Sequence, residues 1–146
     1  MEILEINKVN VSKFINLNED VLYEIINTAI GLQNPQACTQ LDPTSREQKL
    51  IELVSSVLEE KPIQLKKSKL SGFYSKNKFH SYKTQIQQII NKDEFLNADN
   101  SVESVTKIAL ALSELFYPCA SMAGATLISR GGIKEYCSTG QEHFKV

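Results

Sequence analysis

The chain has 146 residues, of which 42% are hydrophobic and 23% are charged, and its net charge is −1. This length suits one domain with an ordinary core, and this composition excludes an intrinsically disordered chain. Its three cysteines are widely spaced and form no C-x-x-C pair, which argues against a disulfide framework, so we expect a reducing, cytoplasmic compartment. Residues 1–14 begin with acids and lack an uninterrupted apolar run, so no signal peptide is expected.

The charges are segregated along the chain. Residues 61–92, called the basic segment below, contain eight lysines and neither Asp nor Glu. Residues 1–60 contain ten acidic residues against four basic ones, and residues 93–146 contain seven against four. The nearly neutral total therefore conceals a basic stretch between two acidic ones, which bears on the choice of partner.

The first element, residues 1–17, is an N-terminal segment of ambiguous structure. Its apolar residues alternate over short distances as in a strand, but no partner strand follows. Because an isolated strand leaves its backbone groups unsatisfied, we expect an irregular or edge segment packed on helices.

Two helices are predicted next. Asn18 is a good N-cap for the first, acids fill its first turn, and Gly31 is a natural stop. The second carries a capping box at residues 44–47, preceded by Pro43, and is expected to end at residues 59–62.

A third helix is predicted over residues 75–91, followed by a polar turn at residues 93–100. Helical spacing predicts one apolar face, made of Phe79, Tyr82, Ile86, Ile89 and Ile90. The remaining side of this helix is polar and rich in lysine.

A fourth helix should open at Asn100 or Ser101 and be the most buried element. Pro118 is expected to kink or end it, because proline cannot continue a helix. Residues 119–129 are rich in small side chains, which would let another backbone approach closely, and residues 130–132 terminate this stretch. Residues 131–146 are predicted to form a loose tail.

The apolar window at residues 108–128 is nearly long enough to cross a membrane. Glu114 and Pro118 interrupt it, and a charge near the centre of a bilayer is costly. A buried helix, or a pair of helices broken at Pro118, is therefore preferred, and no membrane partner is expected. The whole pattern predicts an all-α protein, a compact bundle of four to five helices in a single domain spanning residues 1–146.

The basic segment is the main candidate for function. Lysines neutralise phosphates, and aromatic rings offer faces on which bases stack, so together they suit a sequence-tolerant binder of RNA or single-stranded DNA. Arginine is absent from the segment, which removes the bidentate fork used for specific recognition. The candidate binding residues are Lys66, Lys67, Lys69, Phe73, Tyr74, Lys76, Lys78 and Lys83.

Two other interpretations of the basic segment remain open. A lysine-rich stretch is commonly a solvated surface, with its aromatic residues turned into the core. Alternatively, the segment could dock on the acidic residues 1–60 of another molecule. The protein would then be a protein–protein interaction module or a self-assembling homo-oligomer, including an inhibitor or immunity-type adaptor.

Enzymatic and metal sites find little support in the sequence. The possible metal ligands are scattered and form no paired motif, so no metal and no cofactor is expected; they are Cys38, His80, Cys119, Cys137 and His143. Cys119 or Ser121 could be a nucleophile at a helix start after Pro118, where the dipole would lower a thiol pKa. Only two histidines could serve as its base, and neither has a local signature. A non-enzymatic protein is therefore predicted.

Overall fold

A computed structural model of the chain describes residues 4–33, 43–59, 77–96, 99–132 and 136–137. The described residues form eight helices and no strand, so the all-α prediction is confirmed. Six of these helices have seven residues or more, slightly above the predicted four to five. The helices are α1 (Lys8–Phe14), α2 (Glu19–Gln33), α3 (Pro43–Leu58), α4 (Asn77–His80), α5 (Lys83–Ile90), α6 (Asp93–Leu96), α7 (Val102–Leu112) and α8 (Pro118–Gly131).

The N-terminal segment contains a helix where an irregular or edge segment was expected. The side chain of Asn7 accepts a hydrogen bond of 2.9 Å from the backbone N–H of Asn10, which caps the start of α1. Val11 and Phe14 lie three positions apart and are both fully buried, so a helical spacing replaces the short alternation. The expected packing on other helices is confirmed, since α1 contacts α3, α7 and α8.

An arginine from the far end of the fold holds the end of α1. The guanidinium of Arg130, in the last turn of α8, donates hydrogen bonds to the backbone oxygens of Ile15, at 2.9 Å, and Leu17. These carbonyls follow the helix, where intrahelical donors have run out. The contact therefore ties the N-terminal segment to the C-terminal helix.

Helix α2 starts as predicted and ends later than predicted. The side chain of Asn18 accepts a hydrogen bond of 3.0 Å from the N–H of Val21, which confirms the cap. Every residue from Val21 to Gly31 is buried, and the helix continues to Gln33. Gly31 is thus an interior residue and not a stop, because the burial of this helix outweighs the local preference of glycine for a terminus.

The side chain of Gln33 joins the end of α2 to the connection between α7 and α8. Its Nε2 donates a 2.7 Å hydrogen bond to the backbone oxygen of Leu115. Its Oε1 accepts a 3.1 Å hydrogen bond from the backbone N–H of Tyr117. Both halves of one amide are used, so this contact fixes the position of α8 relative to α2.

Helix α3 is confirmed and packs against α2. Its buried apolar residues include Leu50, Val54 and Val57. Lys49 forms an ion pair with Glu24 of α2, with 2.9 Å between Lys49 Nζ and Glu24 Oε1. The Arg46 side chain, one turn earlier on α3, is only 2% exposed.

The predicted third helix is interrupted. Residues 81–82 form a turn between α4 and α5, closed by a 3.0 Å hydrogen bond from the N–H of Tyr82 to the oxygen of Phe79. The predicted apolar face nevertheless holds: Phe79, Ile86 and Ile90 are buried, and Tyr82 and Ile89 are half-buried. The expected polar turn at residues 93–100 instead contains the single-turn helix α6, because Phe95 is drawn into the core with 7% exposure.

Helix α8 is the central element, and the prediction that the helix opening at Ser101 would be the most buried is wrong. Ser101 caps α7 as predicted, accepting a 3.2 Å hydrogen bond from the N–H of Ser104, but Leu110 on α7 remains 53% exposed. Residues 119–126 of α8 are all buried, because α8 packs against both α7 and α2. Of the alternatives for residues 108–128, the pair of helices broken at Pro118 is confirmed: α7 ends at Leu112 and Pro118 begins α8, since proline fits the first turn.

The small residues of α8 allow a close approach, but the group that approaches is an aromatic ring. A Cβ atom added at Gly124 would lie 3.0 Å from Cε1 of Phe79. Helix α8 ends at Gly131, and Gly132 follows with φ of 89°, a conformation that favours glycine, so the predicted terminator is confirmed. No helix formed by the described residues combines the length and apolar character needed to cross a bilayer.

Candidate functional site

The structure places only part of the predicted binding set. Lys78 lies in α4, where the structure describes its backbone but not its side chain. Lys83 is the first residue of α5. The remaining six candidates lie outside the described residues, namely Lys66, Lys67, Lys69, Phe73, Tyr74 and Lys76.

The aromatic residues in the described part of the basic segment divide into two roles. Phe79 is 2% exposed and meets the Tyr23 ring edge-on, with 6.1 Å between centroids. Tyr82 is half-buried and packs edge-on against Phe116 at 5.0 Å. His80 is exposed. Phe79 and Tyr82 therefore belong to the core, and His80 is the ring that this part of the segment presents to solvent.

A cavity of about 250 Å³ lies beside this histidine. We call it the aromatic cavity. It is formed where α2, α4, α5 and the end of α8 meet, and two residues beyond α8, Gly132 and Tyr136, complete it. Its lining residues are Tyr23, Phe79, His80, Lys83, Leu127, Ile128, Gly131, Gly132 and Tyr136.

The polar groups at the aromatic cavity favour an anionic or electron-rich ligand. Lys83 Nζ lies 5.1 Å from the centroid of the Tyr136 ring, a cation–π contact. The His80 ring stands almost perpendicular to the Tyr23 ring, with 6.3 Å between centroids. No Asp or Glu is among the described residues that line the cavity. Its lining thus combines aromatic faces with the ammonium group of Lys83 and the imidazole of His80.

Tyr136 is held in place by its backbone. Gln87 Nε2 donates to the backbone oxygens of Tyr136, at 3.0 Å, and Cys137, at 3.3 Å. The N–H of Tyr136 donates to the oxygen of Gly132 at 3.0 Å. These two residues of the predicted loose tail are therefore packed on α5, and residues 133–135 and 138–146 lie outside the described residues.

The Tyr136 hydroxyl is buried and has no hydrogen-bond partner among the described residues. Burial raises the pKa of Tyr136, and the nearby Tyr23 and Cys137 act in the same direction. The phenol is consequently neutral at physiological pH. Its ring supplies a flat, apolar face to the cavity without adding a negative charge.

Glycines form one side of the aromatic cavity. A Cβ atom added at Gly131 would meet nothing within 4 Å, so open space adjoins this residue. Gly132 follows in its positive-φ conformation. Positions 131 and 132 therefore add no side chain to the cavity.

The proposed nucleophiles lie in the core. The Cys119 side chain is fully buried, and burial raises the pKa of its thiol to about 12. The expected lowering of this pKa is wrong, because burial outweighs the backbone hydrogen bonds at Ala120 and Cys119 that act in the opposite direction. Ser121 is also buried, and its hydroxyl donates to the backbone oxygen of Phe116 at 3.3 Å. Within the described ranges, no three His, Cys, Asp or Glu side chains come together as a metal site, and Cys38 and His143 lie outside those ranges.

A second buried polar feature lies between α2 and α3. Glu24 is fully buried, and burial raises the pKa of its carboxyl, while the hydrogen bond and charge of Lys49 act in the opposite direction. The side chain of Lys49 is 31% exposed, so the pair connects the core to the surface. Its geometry suits a structural ion pair.

Sequence reasoning missed the parts of the cavity that lie outside the basic segment. Tyr23 stands in the middle of the apolar helix α2, and Tyr136 stands in a stretch predicted to be loose. The Gly131–Gly132 pair predicts a helix terminator, and the positive φ of Gly132 is a local feature of that end.

Comparison of the chain with protein-family models, with curated proteins and with solved structures found no match. The function of the candidate site is therefore inferred from its residues and their geometry alone. Aromatic rings surround a space of about 250 Å³, and Lys83 and His80 are the charged or titratable groups other than tyrosine among the described lining residues.

Proposed function

We propose that this chain is a non-enzymatic binder of single-stranded polyanions, RNA or single-stranded DNA, and that the basic segment contacts the phosphates. One observation carries the proposal. Residues 77–92, the described part of the basic segment, bring Lys83 and His80 to a cavity that is lined by aromatic rings. The described residues that line this cavity include no Asp or Glu.

The proposal combines two physical terms. Lysine side chains that neutralise phosphates release condensed counterions, which makes binding favourable and strongly dependent on salt. Aromatic faces add stacking that tolerates any base, because every base has a π face. A segment rich in lysine that leads to an aromatic cavity supplies both terms.

The residues carry different parts of this function. Lys66, Lys67, Lys69, Lys76 and Lys78 are proposed phosphate contacts together with Lys83, and Phe73 and Tyr74 are proposed stacking residues. Because Phe79 and Tyr82 pack in the core, they are not proposed to stack directly on an exposed strand.

The test is fluorescence anisotropy with labelled RNA and single-stranded DNA of about 20 nucleotides, at about 50 mM and about 200 mM salt. Six phosphate contacts should weaken binding roughly 300- to 1,000-fold across this range. The charge-reversal variant Lys66→Glu/Lys67→Glu should weaken binding and flatten the salt dependence, since two of these contacts are lost.

The matched control is Lys8→Glu/Lys107→Glu, which changes the net charge equally at two exposed positions outside the basic segment. It should bind nearly as the wild type does. Equal losses in the two variants would show that net charge alone drives binding. Absence of binding at the lower salt concentration would refute the proposal.

A second candidate is a protein–protein interaction module in which the basic segment docks on an acidic surface of another copy. It is favoured by the exposure of acids in residues 1–60, including Glu5, Glu19, Asp20, Glu52 and Glu59. Such head-to-tail contacts build rings or filaments, and complementary charge would direct them. Light scattering at two protein concentrations and two salt concentrations tests it: a monomer under all four conditions would refute self-assembly.

A further inference from the structure

We infer that the aromatic cavity is a pocket for a single unstacked base of the bound strand, with Lys83 and His80 at its edge contacting that nucleotide's phosphate. This inference rests on the proposed function and names the place where one nucleotide would be held. It differs from surface stacking on Phe73 and Tyr74, because the base would enter the fold between α2, α5 and α8.

The size of the cavity suits one ring system. Pockets that enclose drug-sized ligands measure about 300–1,000 Å³. The aromatic cavity, at about 250 Å³, lies just below this range. It has room for a planar heterocycle and too little for several nucleotides, so the rest of a strand would have to follow the surface.

The lining suits a planar, electron-rich ligand. Tyr23, Phe79 and Tyr136 provide rings, and the aliphatic side chains of Leu127 and Ile128 complete the apolar surface. Stacking and apolar contacts of this kind hold a base without reading its identity. The pocket is therefore expected to accept purines and pyrimidines with modest preference.

Lys83 and His80 are placed to contact the phosphate of a nucleotide whose base lies in the cavity. Lys83 is partly exposed and lies over the Tyr136 ring, with 5.1 Å from Nζ to the centroid. His80 is exposed beside Tyr23. Both residues belong to the basic segment, so the phosphate of an inserted base would join the row of phosphates proposed to contact the lysines.

Gly131 offers a way to close the pocket without disturbing the fold. Open space adjoins its Cβ position, and its backbone is helical, so a larger side chain can be placed there without a clash at Cβ. Gly131→Leu should project an apolar side chain next to the cavity and obstruct it. Ser55→Leu, at an exposed position of α3, is the matched control for the added hydrophobic side chain.

Two single strands of about 20 nucleotides would be compared by anisotropy at about 50 mM salt, one normal and one with abasic residues at its central positions. The two carry equal charge. Wild type and Ser55→Leu should bind the normal strand roughly 5- to 100-fold more tightly than the abasic strand, which is the effect of a stacked base. Gly131→Leu should bind the abasic strand as the wild type does and should show a reduced preference for the normal strand, keeping only the part that stacking on Phe73 and Tyr74 supplies.

Photo-crosslinking with halogenated uracil in the same strand gives a second readout that locates the base. Crosslinks mapped by mass spectrometry to peptides containing Tyr23 or Tyr136 would support the pocket, and thermal unfolding would confirm that Gly131→Leu is folded. If the strand binds but crosslinks only within residues 61–76, and Gly131→Leu keeps the preference, the pocket is refuted and the proposed function stands. If no strand binds, the proposed function and the pocket both fail.

Discussion

The amide of Gln33 offers the sharpest test of how the helices are held together. Gln33→Ala removes a donor to the Leu115 carbonyl at 2.7 Å and an acceptor for the Tyr117 N–H at 3.1 Å. Each intramolecular hydrogen bond contributes about 1 kcal/mol net. The free energy of unfolding should therefore fall by about 2 kcal/mol, which corresponds to about 6–8 °C in Tm for a chain of this size.

Thermal and urea unfolding followed by circular dichroism would measure this loss. The matched control is Gln48→Ala on α3, where the exposed amide makes only a 3.4 Å contact with Glu52. That variant should stay within about 0.5 kcal/mol of wild type. If the two variants lose equal stability, the Gln33 amide does not hold α8 against α2 as argued.

Gln33→Glu sharpens the test. The carboxylate can still accept the hydrogen bond from Tyr117, but its other oxygen would face the Leu115 carbonyl without a proton to donate. At neutral pH this variant should be less stable than Gln33→Ala. Because protonation restores the donor, the folded state favours the protonated acid, and the deficit should shrink as the pH falls toward about 4. A deficit that does not change with pH would refute the assigned hydrogen bond.

Three further predictions concern other contacts in the fold. Arg130→Ala loses two hydrogen bonds to the chain following α1, and because both are exposed the free energy of unfolding should fall by only about 1–2 kcal/mol. Proteolysis of residues 8–17 should accelerate, whereas Lys107→Ala should change neither. Gly124→Ala brings a Cβ to 3.0 Å from Cε1 of the buried Phe79 ring, and this overpacking is expected to cost about 1–3 kcal/mol, partly offset by the roughly 1 kcal/mol that alanine gains over glycine inside a helix. In a double-mutant cycle, Phe79→Leu should relieve part of this cost, and strict additivity would contradict the contact. Burial raises the pKa of Glu24 above 4.5, so in the folded state this carboxyl retains a proton that the unfolded chain releases. Its contribution to stability is therefore present below pH 4.5 and is lost as the pH rises. Glu24→Gln should remove this pH dependence of stability, measured as urea midpoints from acid to neutral pH.

The starts of α2 and α7 could be predicted because their signals are local, whereas the local cap of α1 at Asn7 was missed. Asn18 and Ser101 each cap a helix through a side chain that reaches the backbone three residues on, as their sequence context indicates. The break at residues 81–82 had no such signal, because it accompanies packing of Tyr82 against Phe116, more than thirty positions away. The predicted end of α2 at Gly31 was wrong for a similar reason, since tertiary burial decides whether a glycine ends a helix and α2 continues to Gln33.

The candidate site was predictable only on one side. Composition alone distinguishes the basic segment, and Lys83, one of its predicted binding residues, lines the aromatic cavity. Tyr23 and Tyr136 are separated by more than a hundred positions and meet only after α2 and α8 have packed together. A pattern read along one stretch cannot find such a pair, because neither residue differs from its neighbours in charge or spacing.

The position of α8 has a consequence for synthesis of the chain. Helix α2 leaves the ribosome before α8, one of the helices that cover its apolar face, which follows after about 85 further residues. At a rate of roughly 5–20 residues per second, that face waits about 4–17 seconds for its partner. During this interval the nascent chain presents the part of the α2 surface that α8 covers, because α3 can pack only on its own side of α2, and this makes the unfinished chain a substrate for chaperones that bind hydrophobic segments. Folding of this bundle is therefore expected to be completed largely after α8 has emerged, and not progressively from the N-terminus.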